Sequence, residues 1–392
     1  VKSVEDKIIR ETLSEIFEDM ANALETGTFG RKTRVGLTIL GSEHGPEELV
    51  KGAELAQKNN SDLEVVLIGT GVETSLELVE AKDEKEAHDV MDKMLVNGEL
   101  DSAVTLHYSF PIGVSTVGKV ITPGKGREMF IATTTGTSAT ERVSAMIKNT
   151  LYGIAAAKAT GIANPTVGIL NIEGARQVER ALKKLKENGY PINFTESARS
   201  DGGVVMRGND LLLGVPDVMV TDSLTGNVLM KMFSAYSSGG NYEALGYGYG
   251  PGAGENYDRI ICIISRASGA PVIAGAIRYA ADAAQGKFLA KVNAEFAAAK
   301  KAGLEKLLSS FECPANAAKN AEDSGEITPP PEKPVTADIP GIEILQLEDA
   351  VRLLWKNNIY AASGMGCTGP IIMVAPEDKE KALAILKEAE YI

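Results

Sequence analysis

Cysteine, histidine and tryptophan are scarce in this chain, with three, three and one among 392 residues. The cysteines at 262, 313 and 367 are widely separated and cannot build a disulfide framework, so a reducing cytoplasm is the expected setting. No Cys/His spacing around His44, His88 or His107 resembles a zinc site. Long apolar runs are missing as well: stretches such as Ile260 to Ile264 are far too short to span a bilayer. No basic segment followed by an apolar one opens the chain, so no secretory signal is expected. Basic residues are outnumbered 40 to 53, and the net charge of −13 argues against a general nucleic-acid or membrane-surface role.

What is present points to a large α/β protein. A chain of this length exceeds the usual size of one core, which suggests two compact units or one large unit with an appendage. Residues 3–25 place Ile9, Leu13, Ile16, Phe17, Met20 and Leu24 at helical spacing behind a Ser3 cap. This helix stands outside the pattern that follows, and packs either on a partner chain or on its own domain. From Arg34 onward, expected strands at 35–40, 63–68, 130–133, 166–171, 217–221 and 259–264 alternate with helices. The helices are expected at 46–58, 74–96, up to 159, at 176–188, 227–236 and 271–284. Such alternation of apolar strands with helices predicts a largely parallel sheet with helices on both faces, whose ligands sit at the carboxyl ends of the strands.

Residues 314–340, with Pro329, Pro330, Pro331 and Pro334, read as an extended linker. Beyond it, helix 347–356, strands 359–362 and 370–375 and helix 376–389 form a small α+β unit. The expected organisation is therefore an N-terminal helix (1–28), an α/β domain (29–313), a Pro-rich linker (314–340) and a C-terminal unit (341–392).

Several junctions could carry chemistry. Asp222, Gly226, Asn227 and Lys231 follow a buried strand. A helix opened by Gly226 and Asn227 would offer unpaired N–H groups and a positive dipole end to a phosphate, with Lys231 about one turn further on. Gly41, Ser42, His44 and Gly45 precede Pro46 at another strand-to-helix junction, where glycines permit close backbone approach and His44 could donate to phosphate. The alternative there is a surface turn with a solvated histidine. Gly124 to Arg127 reads as a solvated basic turn, and Thr133 to Ser138 as a hydroxyl-rich helix entry explained by capping. Tyr247 to Gly254 carries a dense glycine run without an apolar strand immediately before it, so a dinucleotide site is not expected and a mobile loop is. Gly27 to Thr33 is too short for a P-loop. Cys262 lies in an Ile-rich strand and reads as core. Cys367, flanked by Gly364, Gly366, Thr368 and Gly369, reads as an accessible thiol, against the alternative of a structural tight turn.

Taken in order, these segments resemble the phosphate acyltransferase family of phospholipid synthesis, which turns an acyl thioester and phosphate into an acyl phosphate. Ile39 to Pro46 resembles that family's glycine-glycine-aspartate-histidine-glycine-proline loop, with Ser42 and Glu43 where the family has glycine and aspartate. Asn164 to Ile172 resembles its central strand, and Ile192 to Lys231 its next block, including Asp222, Gly226, Asn227 and Lys231. The resemblance spans about residues 34–285 and implies the phosphate acyltransferase / isocitrate dehydrogenase-like fold. The linker, the 106–110 segment and the Gly364–Pro370 tail depart from it. That combination is similar to the alpha subunits of component C of glycine/sarcosine/betaine reductase complexes.

The second resemblance implies an acetyl thioester, on Cys367 or on a cysteine of a partner, attacked by phosphate to give acetyl phosphate. It further implies catalytic roles for Cys367, Lys231, Asn227 and Asp222. Phosphate or substrate contacts would come from Gly41, Ser42, His44, Gly45, Gly226, Asn227 and Lys231. The implied partners are a condensing-enzyme-like beta subunit and the selenoprotein carrier of the complex, and an oligomer is expected. This chemistry calls for no metal and no organic cofactor. Two other readings stay open: a stand-alone acyltransferase using carrier-bound or coenzyme A thioesters, and a non-catalytic docking subunit.

Overall fold

Twelve strands form one sheet in the computed structural model, which describes residues 31–200, 202–311, 329–340, 342, 347–366, 369–389 and 391–392, together with Phe17, Met20, Ala21 and Leu24. They are β1 (Thr33–Thr38), β2 (Leu63–Gly69), β3 (Glu77–Glu80), β4 (Ser102–Thr105), β5 (Ser115–Ile121), β6 (Glu128–Gly136), β7 (Thr166–Leu170), β8 (Asn193–Phe194), β9 (Val205–Met206), β10 (Val218–Val220), β11 (Gly250–Ala253) and β12 (Ile261–Ile263). Their order is β3-β2-β1-β4-β12-β11-β5-β6-β10-β7-β8, with β9 also on β7. Pairing is antiparallel only at β12–β11, β11–β5 and β5–β6; all other pairs are parallel. The expected largely parallel sheet is thus present, with an antiparallel centre that its glycine- and threonine-rich strands concealed.

Around it run α1 (Pro46–Asn59), α2 (Glu84–Val96), α3 (Arg142–Ala159), α4 (Ala175–Glu187), α5 (Gly208–Leu213), α6 (Ser223–Ala235), α7 (Ala270–Gln285), α8 (Phe288–Lys301) and α9 (Leu304–Ser309). The period-two geometry of a strand sends alternate residues to opposite cores. In β6, Phe130 and Ala132 join the core formed with α3, whereas Met129 and Ile131 join the one that holds Met230 and Phe233 of α6. In β1, Val35 and Leu37 join Ile39 in a third cluster with Leu49 and Ala53 of α1 and Ile273 and Ile277 of α7. Full burial of each of the larger of these side chains, the alanines excepted, contributes about 1.5–3 kcal/mol.

A separate three-stranded antiparallel sheet, β13 (Ala337–Pro340), β14 (Ala361–Gly366) and β15 (Gly369–Val374), runs in the order β13-β15-β14. With α10 (Leu347–Lys356) and α11 (Lys379–Glu388) it encloses Ile339, Val351, Leu354, Ile372 and Leu386, and Ile112 of the larger sheet's 106–114 connection packs against this cluster.

Four expectations change. Residues 74–96 split into the charged edge strand β3 and helix α2, because Asp83 is extended and accepts from the Glu86 N–H at 2.8 Å, starting the helix there. Strand β6 runs on to Gly136, so the hydroxyl-rich stretch is largely sheet. The glycine run 247–254 is not a loose loop: it contains the buried β11, where a Cβ on Gly250 would lie 1.7 Å from the Val117 carbonyl oxygen. The last residues of the expected linker are extended but paired, Ala337 to Pro340 against Val374 to Ile371. Apart from four residues, the N-terminal helix lies outside the described residues, as do Cys313 and most of the linker.

Candidate functional site

Three successive antiparallel pairings separate β12 from β6, so the carboxyl ends of β1, β4 and β12 and those of β6, β7 and β10 lie at opposite ends of the sheet. The sequence-predicted residues fall into two groups, one at each end, joined by α6. Helix α6 begins earlier than expected, at Ser223. Asp222 is its N-cap: the carboxylate accepts from the Thr225 N–H at 2.8 Å and from the Thr225 hydroxyl at 2.9 Å. Arg142 donates to the same carboxylate at 2.7 Å and pairs with Glu173 at 3.0 Å. Burial works to raise the Asp222 carboxyl, but the Thr225 N–H and the Arg142 guanidinium outweigh it and hold it below the ordinary carboxylate range.

This geometry corrects one expectation. Gly226 does not open the helix with an unpaired N–H; its amide donates to the Asp222 carbonyl at 2.9 Å. Its lack of a side chain serves packing, since a Cβ there would sit 1.7 Å from the Thr133 carbonyl oxygen. Asn227 lies in the second turn, where its Nδ2 donates to the Thr134 carbonyl at 3.2 Å. A phosphate at the helix start would meet the Asp222 carboxylate, so the dipole end is already occupied by a protein anion.

The second group surrounds Lys231, nine residues and so about 13 Å further along α6 at 1.5 Å per residue. The Lys231 ammonium donates to Glu243 Oε1 at 2.8 Å and to Ser265 Oγ at 2.5 Å, and lies 5.7 Å from the Tyr249 ring centroid. Next to Ser265, the carbonyl of Arg266 accepts from the Glu43 N–H at 2.9 Å and from the Ser42 hydroxyl at 3.5 Å. The His44 ring meets Tyr242 edge-on at 6.1 Å between centroids. Gly41 and Gly45 hold positive φ of 92° and 80°, which glycine alone adopts freely. The Gly41–Gly45 loop therefore does converge with Lys231, through the 242–243 and 265–268 segments. Arg266 is half-exposed and pairs with Glu84 at 3.2 Å.

Beneath this loop a small pocket is lined by Thr38, Leu40, Glu84, His88, Thr105 and His107. His88 Nε2 lies 3.0 Å from the Thr105 hydroxyl, which meets the Thr38 hydroxyl at 2.8 Å. Burial pushes both imidazoles below their ordinary range, helped at His88 by His107 and at His107 by Arg266.

Sequence reasoning missed Arg142, Glu243, Ser265 and Arg266, which are scattered over separate connections with no shared spacing. One signal was available: Asp222 stands three residues before Thr225, the pattern of an N-cap. Cys262 is fully buried, as expected, and burial pushes its thiol up. Cys367 lies outside the described residues.

Comparison with known proteins adds to this geometry. A family model described as "Fatty acid synthesis protein" matches residues 33–373. The chain is 59% identical over 384 residues, 98% of its own length and 99% of the other's, to the glycine/sarcosine/betaine reductase complex component C subunit alpha of Peptoclostridium acidaminophilum. The phosphate acyltransferase of Thermotoga maritima is 30% identical over 234 residues, 50% of this chain and 68% of that one. Among solved structures, a branched-chain phosphotransacylase from Enterococcus faecalis V583 aligns with a TM-score of 0.45 at 14% identity, over 64% of this chain and 98% of that one.

Proposed function

The chain belongs to the fatty acid synthesis protein family and, within it, to the component C alpha subunits of glycine/sarcosine/betaine reductase complexes, and on that footing we propose that it transfers an acetyl group from an enzyme-bound thioester to phosphate. The phosphate acyltransferase relatives support a transferase in general; acetyl phosphate as the product is our reading. A phosphate oxygen attacks the thioester carbonyl, the carbon–sulfur bond breaks, and the thiolate leaves, taking up the proton that phosphate releases.

The observation that carries this reading is the convergence of the Lys231 ammonium with the 41–45 loop and Arg266 at the carboxyl ends of β1 and β12. The N–H groups that Lys231 and Arg266 keep beyond their pairings with Glu243 and Glu84 would hold a phosphate against the thioester, where orientation supplies much of the rate. Asn227, one turn away, would contact the acetyl carbonyl or phosphate through its second amide hydrogen. Asp222 keeps Arg142 in place rather than meeting phosphate, since like charges repel. The thioester sits on Cys367 or on the partner, which we take to be the condensing-enzyme-like beta subunit, loaded in turn from the selenoprotein carrier. An apolar ridge on α6 and its C-cap, Leu224, Val228, Met232 and Tyr236, is exposed by 76, 52, 62 and 51% and offers that partner a surface beside the site. Among the described residues no helix is long and apolar enough to cross a membrane.

Isotope exchange tests the proposal. Acetyl phosphate and labelled phosphate are incubated with the reduced chain, alone and with its partner subunits, and label entering acetyl phosphate is measured. Exchange by the chain alone that disappears in Cys367→Ala puts the thioester here. Exchange only with the partner moves the thioester there and keeps the phosphate site on this chain. No exchange in either case overturns the reading.

A further inference from the structure

Glu243 is one of the most enclosed carboxylates of the described chain, with 2% of its surface exposed, yet it lies in a short glycine-flanked connection rather than in a core element. Its backbone is clamped on both sides: its N–H donates to the Ala267 carbonyl at 2.9 Å, and its carbonyl accepts from the Gly269 N–H at 2.9 Å. The carboxylate itself is surrounded by donors. Oε1 accepts from Lys231 at 2.8 Å and from the Tyr249 hydroxyl at 2.9 Å, and Oε2 accepts from the Ser268 hydroxyl at 3.1 Å.

The lysine on the other side of this contact is about half-exposed. A free lysine side chain on a helix surface samples many rotamers, and ordering it costs about 1.5–2 kcal/mol. Here the fixed carboxylate and Ser265 Oγ take two of the three ammonium hydrogens, which settles where the third can point. A carboxylate beside an anion site opposes the anion through its charge. Its position here is therefore explained by placement of the ammonium, not by attraction for phosphate.

We infer that Glu243 is the positioning residue of the phosphate site: it holds the Lys231 ammonium in one orientation, so that the remaining N–H meets a phosphate oxygen. The inference rests on the assignment of Lys231 to phosphate made above. It acts through Lys231 and involves no contact between Glu243 and the substrate.

The geometry separates placement from charge. In Glu243→Gln the amide oxygen can keep both Lys231 and Tyr249 while the amide nitrogen donates to Ser268, so the ammonium stays where it is and an opposing charge is lost. In Glu243→Ala the anchor is gone. Inorganic phosphate is titrated into the full chain by calorimetry, and folding of each variant is checked by its melting transition. Glu243→Ala is expected to weaken phosphate binding about tenfold or more, the scale of a hydrogen bond to a charged group, whereas Glu243→Gln binds at least as tightly as the natural chain. In a Lys231→Met background, Glu243→Ala is expected to add nothing further.

Should Glu243→Ala fail to fold, Ser265→Ala removes the other tie on the ammonium and is expected to weaken binding several-fold, again only when Lys231 is present. An equal loss in Glu243→Gln and Glu243→Ala would show that charge, not placement, matters, and would overturn the inference. So would a loss that persists undiminished in the Lys231→Met background. Lys231→Met that binds phosphate normally would instead refute the underlying assignment of the phosphate site, a distinguishable failure.

Discussion

Replacing Gly226 by alanine sets helix propensity against packing, and the structure decides which wins. In a helix interior alanine is favoured over glycine by about 1 kcal/mol. Against that, the new Cβ would lie 1.7 Å from the Thr133 carbonyl oxygen and 2.9 Å from its carbon, where at least 3.0 Å is needed. The obstacle is backbone, so no rotamer relieves it; α6 must withdraw from β6 by about 1.3 Å. Withdrawal loosens Met230 and Phe233, which are 1% and 6% exposed. Overpacking of this kind costs about 1–3 kcal/mol, and a void opened beneath the helix adds to it. The net expectation is a loss of about 2–4 kcal/mol, which for a chain of this length is a fall in melting temperature of about 2–5 °C. Gly208→Ala is the control: it too lies in a helix, its added Cβ meets nothing within 4 Å, and it should melt within about 0.5 kcal/mol of the natural chain. A Gly226→Ala protein that melts with or above the natural chain would refute the packing argument and return Gly226 to a ligand-binding explanation.

Two further outcomes follow from the same geometry. Because folding holds His88 and His107 below the ordinary imidazole range, their contribution to stability is complete above about pH 6.5 and is lost as pH falls toward their folded values. Each adds a slope of up to about 1.4 kcal/mol per pH unit there, so His88→Gln should flatten the acid side of a melting-temperature profile; an unchanged slope counts against the assignment. Met232→Glu, on the exposed ridge of α6, should leave the melting temperature within about 1 °C yet weaken association with the proposed beta-subunit partner at least about tenfold by surface plasmon resonance, and unchanged affinity would remove the ridge from the proposed interface.

How much of this could be read from the chain depends on whether a residue's role is set by its neighbours in sequence or in space. The parallel strands were legible because burial on both faces makes them continuous apolar runs, as at Val35–Thr38 or Val218–Val220. The antiparallel centre was not. Strand β5 carries Lys119, a residue that argues for surface, yet the side chain is 9% exposed. Its ammonium reaches Glu128 at 2.7 Å and lies 4.2 Å from the Tyr247 ring centroid, while the alkyl stem stays inside. Nothing near position 119 in the chain announces either partner.

The site divides in the same way. The Asp222–Lys231 spacing was visible, but it encodes two different jobs: Asp222 satisfies the first turn of α6 and fixes Arg142, whereas Lys231 belongs with segments drawn from the chain's first fifty residues and from beyond residue 240. The apparent phosphate motif is thus split along a single helix. Its N-terminal end is already neutralised by a carboxylate, and its cation is presented two turns later, where the glycines at 41 and 45 let another strand end approach. Lys231 and Arg266 are each paired with a carboxylate, Glu243 and Glu84, so an anion seated there would be held by the N–H groups those pairings leave over rather than by a helix dipole. Loss of phosphate binding should therefore track those two side chains rather than the cap at Asp222. In phosphate titrations, Arg266→Gln should weaken affinity, while Asp222→Asn, which can still cap the helix, should leave it nearly unchanged.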